Sequence, residues 1–154
     1  MGENGKIEML RGSYTVKVDE GGRIKIPEEF RSIIEKNYGK ELFITSVNGV
    51  MVQVFPLPVW EKIEEKLHNA PSMEPAIIKY IELTSYYGKT SQMDQKGRIL
   101  IHPHLREKTQ LNSEVIILGS QSHLRIWNKE LFGKKIDREP LTLEDFKALS
   151  VFGI

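Results

Sequence analysis

Two stretches of the chain place an aspartate four residues ahead of an arginine, with glycine just before the arginine and isoleucines alternating after it. They read Asp19-Glu20-Gly21-Gly22-Arg23-Ile24-Lys25-Ile26 and Asp94-Gln95-Lys96-Gly97-Arg98-Ile99-Leu100-Ile101. Arginine presents a planar fork of donors that can grip a guanine edge or a phosphate with two bonds at once. Directly after a Gly-containing turn, Arg23 and Arg98 would stand at the mouth of a hairpin, and a two-stranded ribbon fits the major groove of DNA. Asp19 and Asp94 would lie across the turn, where each can orient its guanidinium or accept from a cytosine amino group. Lys25 and Lys96 add positive charge beside the arginines. Spacing alone equally describes a plain turn with a surface ion pair worth about 0–1 kcal/mol, and taken without other information it favours that simpler reading.

Both motifs belong to a longer internal repeat. Residues 16–33 lie over residues 91–108 at a constant offset of 75, matching Asp19 to Asp94, Gly22 to Gly97, Arg23 to Arg98, Ile24 to Ile99, Ile26 to Ile101, Phe30 to Leu105 and Arg31 to Arg106. The likeness continues with Glu41–Ile44 over Glu114–Ile117 at offset 73, then Val54-Phe55 over Ile126-Trp127 and Trp60 over Phe132 at offset 72. A fixed register over this length marks a duplicated unit. It places a first repeat at 9–68, a connecting helix at 69–86, a second repeat at 87–134 and a tail or short helix at 135–154.

Within each repeat the apolar periods predict the elements that must carry the arginines. Tyr14, Val16 and Val18, then Ile24 and Ile26, alternate as half-buried strands around a turn at 19–22, whose Asp and Gly residues suit tight reversal. Pro27 introduces a helix with Phe30, Ile33 and Ile34 on one face. Two more strands flank the Asn48-Gly49 turn as a hairpin, and a helix with Trp60, Ile63 and Leu67 on one side follows. His102-Pro103 stands where the first copy has Pro27, predicting a following helix that starts one residue later. At roughly 50–60 residues a lone repeat is marginal, so the two should pack on each other.

Of 154 residues, 40% are hydrophobic and 28% charged, with 22 Lys plus Arg against 21 Asp plus Glu. That composition describes a globular chain of net charge +1, and any nucleic-acid contact would need a local basic surface. Residues 86–108 hold five cations against two carboxylates, whereas residues 11–31 hold five against four. There is no cysteine, which removes disulfides, thiolate nucleophiles and Cys-ligated metals. No apolar run approaches the ~20 residues that span a bilayer, and the start lacks a signal-peptide core, so a cytosolic protein is expected. Neither a Gly-x-Ser-x-Gly turn nor a phosphate-cradling Gly-rich loop occurs, and catalysis is not expected. His102 and His104 alternate without a third ligand, so no metal or cofactor is expected either. Trp60, Trp127 and Phe132 have the spacing of packing residues rather than of a base-stacking platform. Arg31 and Arg106 each follow an apolar helix residue and would cover the core with their stems.

Taken together, Met9-Leu10-Arg11-Gly12, the doubled Asp-x-x-Gly-Arg-Ile-x-Ile, Phe55-Pro56-Leu57-Pro58 running into a charged helix, and Ile126-Trp127-Asn128-Lys129-Glu130 resemble the MraZ family, over about Met9 to Phe132. That family falls in the AbrB-like, swapped-hairpin group of transcription regulators. The resemblance implies a mainly β, α+β chain of two tandem swapped-hairpin β-barrel units forming a pseudo-symmetric pair. It also implies a cytoplasmic, nucleoid-associated repressor of the division and cell-wall gene cluster, binding direct repeats of double-stranded DNA in its own promoter and assembling into a homo-oligomeric ring. The DNA-facing Asp-x-x-x-Arg motifs would be Asp19 with Arg23 and Asp94 with Arg98. The helix before the second motif offers only Lys79 and Lys89 where relatives often carry several arginines, so no DNA contact is carried over to it. Residues 1–8 extend beyond the usual start and are expected to fray. A protein-binding, antitoxin-like module is the rival reading, which the short tail at 135–154 weakens.

Overall fold

The computed structural model describes residues 7–154, so most of the N-terminal segment expected to fray lies outside the described residues. In chain order the elements are β1 (Ser13–Lys17), β2 (Arg23–Lys25), α1 (Glu28–Tyr38), β3 (Glu41–Thr45), β4 (Val52–Pro56), α2 (Leu57–Asn69) and α3 (Pro75–Tyr87). There follow β5 (Lys89–Gln92), β6 (Arg98–Leu100), α4 (Pro103–Lys108), β7 (Glu114–Ser120), β8 (His123–Asn128), α5 (Lys129–Arg138) and α6 (Leu143–Ser150).

Local chemistry accounts for most boundaries. α1 begins after Pro27, carries Glu28 and Glu29 in its first turn and Lys36 in its last, where they complement the helix dipole, and stops at Gly39 with φ +90°. The β3–β4 pair is the expected hairpin, with Phe43 opposite Phe55 and Ile44 opposite Val54. Its loop is tied by Ser46, whose hydroxyl donates to Met51 O at 2.6 Å and accepts from Gly49 N–H at 2.9 Å. α4 starts at Pro103, the counterpart of Glu28, without the expected delay. His102 takes the capping place of Pro27, its Nδ1 accepting from Leu105 N–H at 3.4 Å.

The strands assemble differently from two barrels. One antiparallel sheet runs β1-β7-β8-β4-β3-β5 and a second, two-stranded sheet pairs β2 with β6. Exchanging the four strands of one half for their counterparts in the other reverses the first order and leaves the second unchanged, as a pseudo-twofold between β8 and β4 requires. The expected mainly β chain of β-barrel units is therefore corrected to an α+β fold of two antiparallel sheets and, among the described residues, six helices, which hold more residues than the strands. Closure would require the end strands to hydrogen-bond to each other. β1 and β5 instead remain separate edges of the large sheet.

The physical reason lies in the size of each half. A repeat of this length buries too little on its own, and here strands of both halves interleave over a shared core. Leu10, Ile24, Ile26, Phe30, Ile34, Leu42 and Val54 from one half join Ile99, Ile101, Leu105, Leu111, Val115, Ile117, Leu124 and Ile126 from the other in one buried cluster. β1 and β2 flank a common turn without pairing with each other, because β1 is bonded to β7 and β2 to β6.

Candidate nucleic-acid interface

The ribbon that presents the motif residues is made from both halves. Arg23 lies opposite Leu100, Ile24 opposite Ile99, and Lys25 opposite Arg98. Strand alternation drives Ile24 and Ile99 into the core at 0% exposure and turns Arg23, Lys25, Arg98 and Leu100 to the other face. Lys96 is exposed in the adjoining turn. The sequence-predicted candidates are thus brought together on one outward surface, although the hairpin expected within each repeat is replaced by a ribbon built across repeats.

Each turn is locked by backbone and carboxylate bonds. Asp19 N–H donates to Arg23 O at 2.9 Å and Gly22 N–H to Asp19 O at 3.0 Å; in the second copy Asp94 N–H and Gly97 N–H repeat both bonds at 3.0 Å. Gly22 and Gly97 have φ of +80° and +77°, the left-handed conformation that glycine adopts at little cost. Asp19 Oδ1 accepts from Arg23 N–H at 2.8 Å. Asp94 Oδ1 accepts from Lys96 N–H and Arg98 N–H, both at 2.9 Å.

The side chains diverge from this common backbone. Arg98 donates through Nε to Asp94 Oδ2 at 2.8 Å and reaches Asp19 Oδ2 through Nη1 at 3.7 Å. The Arg98 backbone N–H, then its guanidinium and the Lys96 N–H, hold the Asp94 carboxyl below its usual range. Arg23 has no such partner: among the described residues, no carboxylate lies in ion-pair contact with Arg23, Lys25 or Lys96. The expected orientation of an arginine by the aspartate four residues earlier is found at Asp94 and not at Asp19, which serves Arg98 across the ribbon instead.

Arg31 and Arg106 do more than cover the core. Arg31 Nη2 donates to Gln95 O at 2.9 Å, in the turn of the other half, while its Nε binds Glu35 at 3.1 Å. The Arg106 guanidinium lies where a side chain on Gly22 would stand, again in the other half's turn. The doubled arginines at offset 75 were a signal for this, but nothing in the chain order says that each serves the opposite copy.

The remaining aromatic and histidine residues do not join the ribbon. Trp60 is buried and stacks on Phe43 at 4.6 Å, and Trp127 packs against Phe132 at 5.4 Å. His102 and His104 stack at 6.2 Å, and among the described residues no group of three His, Asp or Glu side chains is placed to hold a metal ion. A groove of about 370 Å³ between α2 and α3 is lined by Phe43, Trp60, Leu67 and Ile81 and includes no ribbon residue. Among the described residues no helix is long and apolar enough to cross a membrane.

An outward face of guanidinium and ammonium groups on a rigid ribbon is suited to hold phosphates or guanine edges. A family model described as "MraZ protein, putative antitoxin-like" matches residues 9–77 and 88–148. The chain is similar to the transcriptional regulator MraZ of Acidobacterium capsulatum, 41% identical over 146 residues that cover 95% of this chain and all of that protein. The corresponding regulator of Koribacter versatilis is 36% identical over 95% of this chain and all of its own. That of Nitrosomonas europaea is 33% identical over 84% of this chain and 87% of its own. With most of its length matched in this way, the chain belongs to the MraZ family of transcriptional regulators, which are regulatory rather than catalytic proteins.

Proposed function

We propose that the chain is a sequence-specific double-stranded DNA-binding repressor that contacts repeated promoter elements through the β2–β6 ribbon. Arg23 and Arg98 are the reading or phosphate-gripping forks, Lys25 and Lys96 add phosphate contacts, and Asp19 and Asp94 set the turns. The observation that carries this reading is a cluster of outward cations, Arg23, Lys25 and Lys96, none paired with a carboxylate among the described residues. Lys25 and Arg98 stand directly opposite on the ribbon. Asp94 and Asp19 already offset the Arg98 charge, so the cations left free for an anion are Arg23, Lys25 and Lys96.

The targets we assign are direct repeats in the chain's own promoter and in the division and cell-wall gene cluster, on the nucleoid in the cytoplasm. Self-association into a ring would present many ribbons to successive repeats, and linked sites raise avidity without new contacts. Fluorescence anisotropy with the native upstream promoter against a scrambled duplex, at two salt concentrations, tests this. The promoter should be preferred, with a log–log salt slope of about −0.9 per neutralised phosphate. A folded Arg23→Ala/Arg98→Ala double variant should lose that preference; promoter binding at the wild-type level by this variant removes the assignment.

A second reading has one observation in its favour. α6 is well capped, with Thr142 and Asp145 bonding reciprocally at 2.9 and 3.1 Å, yet buries no residue, and Phe146, Val151, Phe152 and Ile154 are exposed. Such a segment suits an antitoxin-like contact with a protein partner. Removing residues 140–154 should leave promoter binding intact if DNA is the ligand of the ribbon alone.

A further inference from the structure

We infer that Arg31 and Arg106 are positioning residues, each fixing the motif turn of the opposite half so that the two turns are held as one coupled unit. Arg31, on α1 of the first half, donates to Gln95 O at 2.9 Å. Its Cδ would lie 2.8 Å from a Cβ on Gly97. Glu35 at 3.1 Å and Glu28 at 3.9 Å hold the guanidinium from behind. Arg106, on α4 of the second half, lies over Gly22, and its Nη1 donates to Ile101 O at 3.0 Å. The backbone repeats the exchange: Ile26 N–H donates to Gly97 O at 2.9 Å, and Ile101 N–H to Gly22 O at 3.2 Å.

The chemistry explains why residue 31 is arginine, while Arg106 bonds Ile101 O of its own half and meets the opposite turn by packing on Gly22. Arg31 must bond a turn carbonyl and a carboxylate at the same time, which a planar fork can do and a lysine's single ammonium cannot do in the same geometry. It also explains the bare glycines. Gly22 and Gly97 are favoured by their positive φ, and the crossing arginine passes through the space a side chain would enter. Arg31 keeps only 21% of its side chain exposed, and its fork is already engaged within the protein. It is therefore placed to hold the surface that meets a ligand, as supporting residues must if that surface is to keep its geometry within a fraction of an ångström.

The link to DNA rests on the function proposed above, whereas the crosswise support of the turns does not. The first arm of the test uses the free, full-length protein. Amide hydrogen exchange is followed by NMR at Gly22, Arg23, Gly97 and Arg98 in wild type, Arg31→Ala, Arg106→Ala and the milder Arg31→Lys and Arg106→Lys. Arg106 variants should speed exchange at Gly22 and Arg23 by about tenfold, and Arg31 variants at Gly97 and Arg98. Changes confined to the variant's own half, or full rescue by lysine, would overturn the inference. The second arm measures promoter affinity against salt for the lysine and alanine variants. A weakening of about tenfold with the slope unchanged is expected, whereas a slope reduced by about 0.9 in the alanine variants would make these arginines direct phosphate contacts and overturn the positioning role. If wild type itself fails to prefer the promoter, the proposed function falls, and the crosswise exchange pattern still decides the positioning.

Discussion

The turn at Asp19–Arg23 and the turn at Asp94–Arg98 follow the same backbone course, with the same two closing bonds and a left-handed glycine in the same place. Their arginines nevertheless have different surroundings: Arg98 is held between Asp94 and Asp19, and Arg23 is held by neither. Two residues differ inside the turn, Glu20 against Gln95 and Gly21 against Lys96, and the second pair lies beside the arginine. In the first copy Gly21 has no side chain, and Arg23 Nη1 sits 2.8 Å from the point where a Cβ would be. The second copy has Lys96 at that position, with a Cβ of its own, and there Arg98 bonds Asp94. The two turns therefore share one hydrogen-bonded scaffold and differ in their forks, a tethered arginine in one and an unpaired arginine in the other.

The largest expected effect tests whether the scaffold really is equivalent in the two halves. Ile24→Ala and Ile99→Ala each empty a fully buried site beneath the ribbon and should each cost about 2–5 kcal/mol in urea denaturation. A large inequality between them would break the equivalence of the two strands. Next comes the difference between the forks. Arg23→Ala should weaken promoter binding by about 1–3 kcal/mol, roughly ten- to a hundredfold, and Arg98→Ala by less, because Arg98 must first give up its aspartates. Anisotropy titrations showing the reverse order would mean that tethering helps the fork more than it hinders it.

A third substitution converts one turn toward the other. Gly21 has no left-handed φ, so Gly21→Ala is compatible with the backbone and should raise stability by about 0.4–1 kcal/mol. It should also move Arg23 onto Asp19, seen as an Arg23–Asp19 ion pair in the crystal structure of the variant, and lower DNA affinity toward that of a chain with two tethered arginines. An Arg23 that stays apart from Asp19 in that variant would remove Gly21 as the cause of the asymmetry.

A separate effect concerns acid stability. His123 stands where the first half has Met51 by the offset of 72, and its pKa is pushed from 6.5 down to about 4, mainly by burial and secondarily by the Arg125 charge. Its Nε2 is buried without a hydrogen-bond partner. The unfolded chain would take up this proton near pH 6.5 and the folded one only near 4. Stability should therefore fall as pH drops from 6.5 to about 4 and level off below, as far as this group is concerned. Asp94, whose folded pKa is lowered, acts in a separate window below its ordinary value of 3.8. His123→Met should flatten the upper window, and an unaltered slope in thermal melts between pH 6.5 and 4 would exclude His123 as its source.

Much of this molecule was legible from local patterns. The doubled Asp-x-x-Gly-Arg, the alternating Ile24 and Ile26 and their partners Ile99 and Ile101, the Phe30 and Ile34 stripe, and the Asn48-Gly49 hairpin are all short-range signals set by strand and helix periods and by turn stereochemistry. Barrel closure was expected and is not found, because pairing between β1 and β7 or β2 and β6 joins residues about 75 to 100 positions apart, and no local period encodes such partners. The same limit hid the cross-half partners of Arg31, Arg98 and Arg106, whereas Asp94 beside Arg98 was legible. Each carries a composition signal in the chain, but each bonds or packs against the other half.

The amino-acid sequence by itself determined which segments become strands, turns and helices, that the chain is a duplicated unit, and which side chains could meet an anion. Those properties follow from neighbours within a few residues and from the burial of alternating apolar positions. Tertiary structure alone decided that the ribbon is shared between halves, that Arg98 is held by two aspartates while Arg23 is not, and that each helix arginine steadies the opposite turn. The reason is that two units too small to bury a core separately exchanged strands over a common one, and in doing so placed each turn against the other half rather than its own.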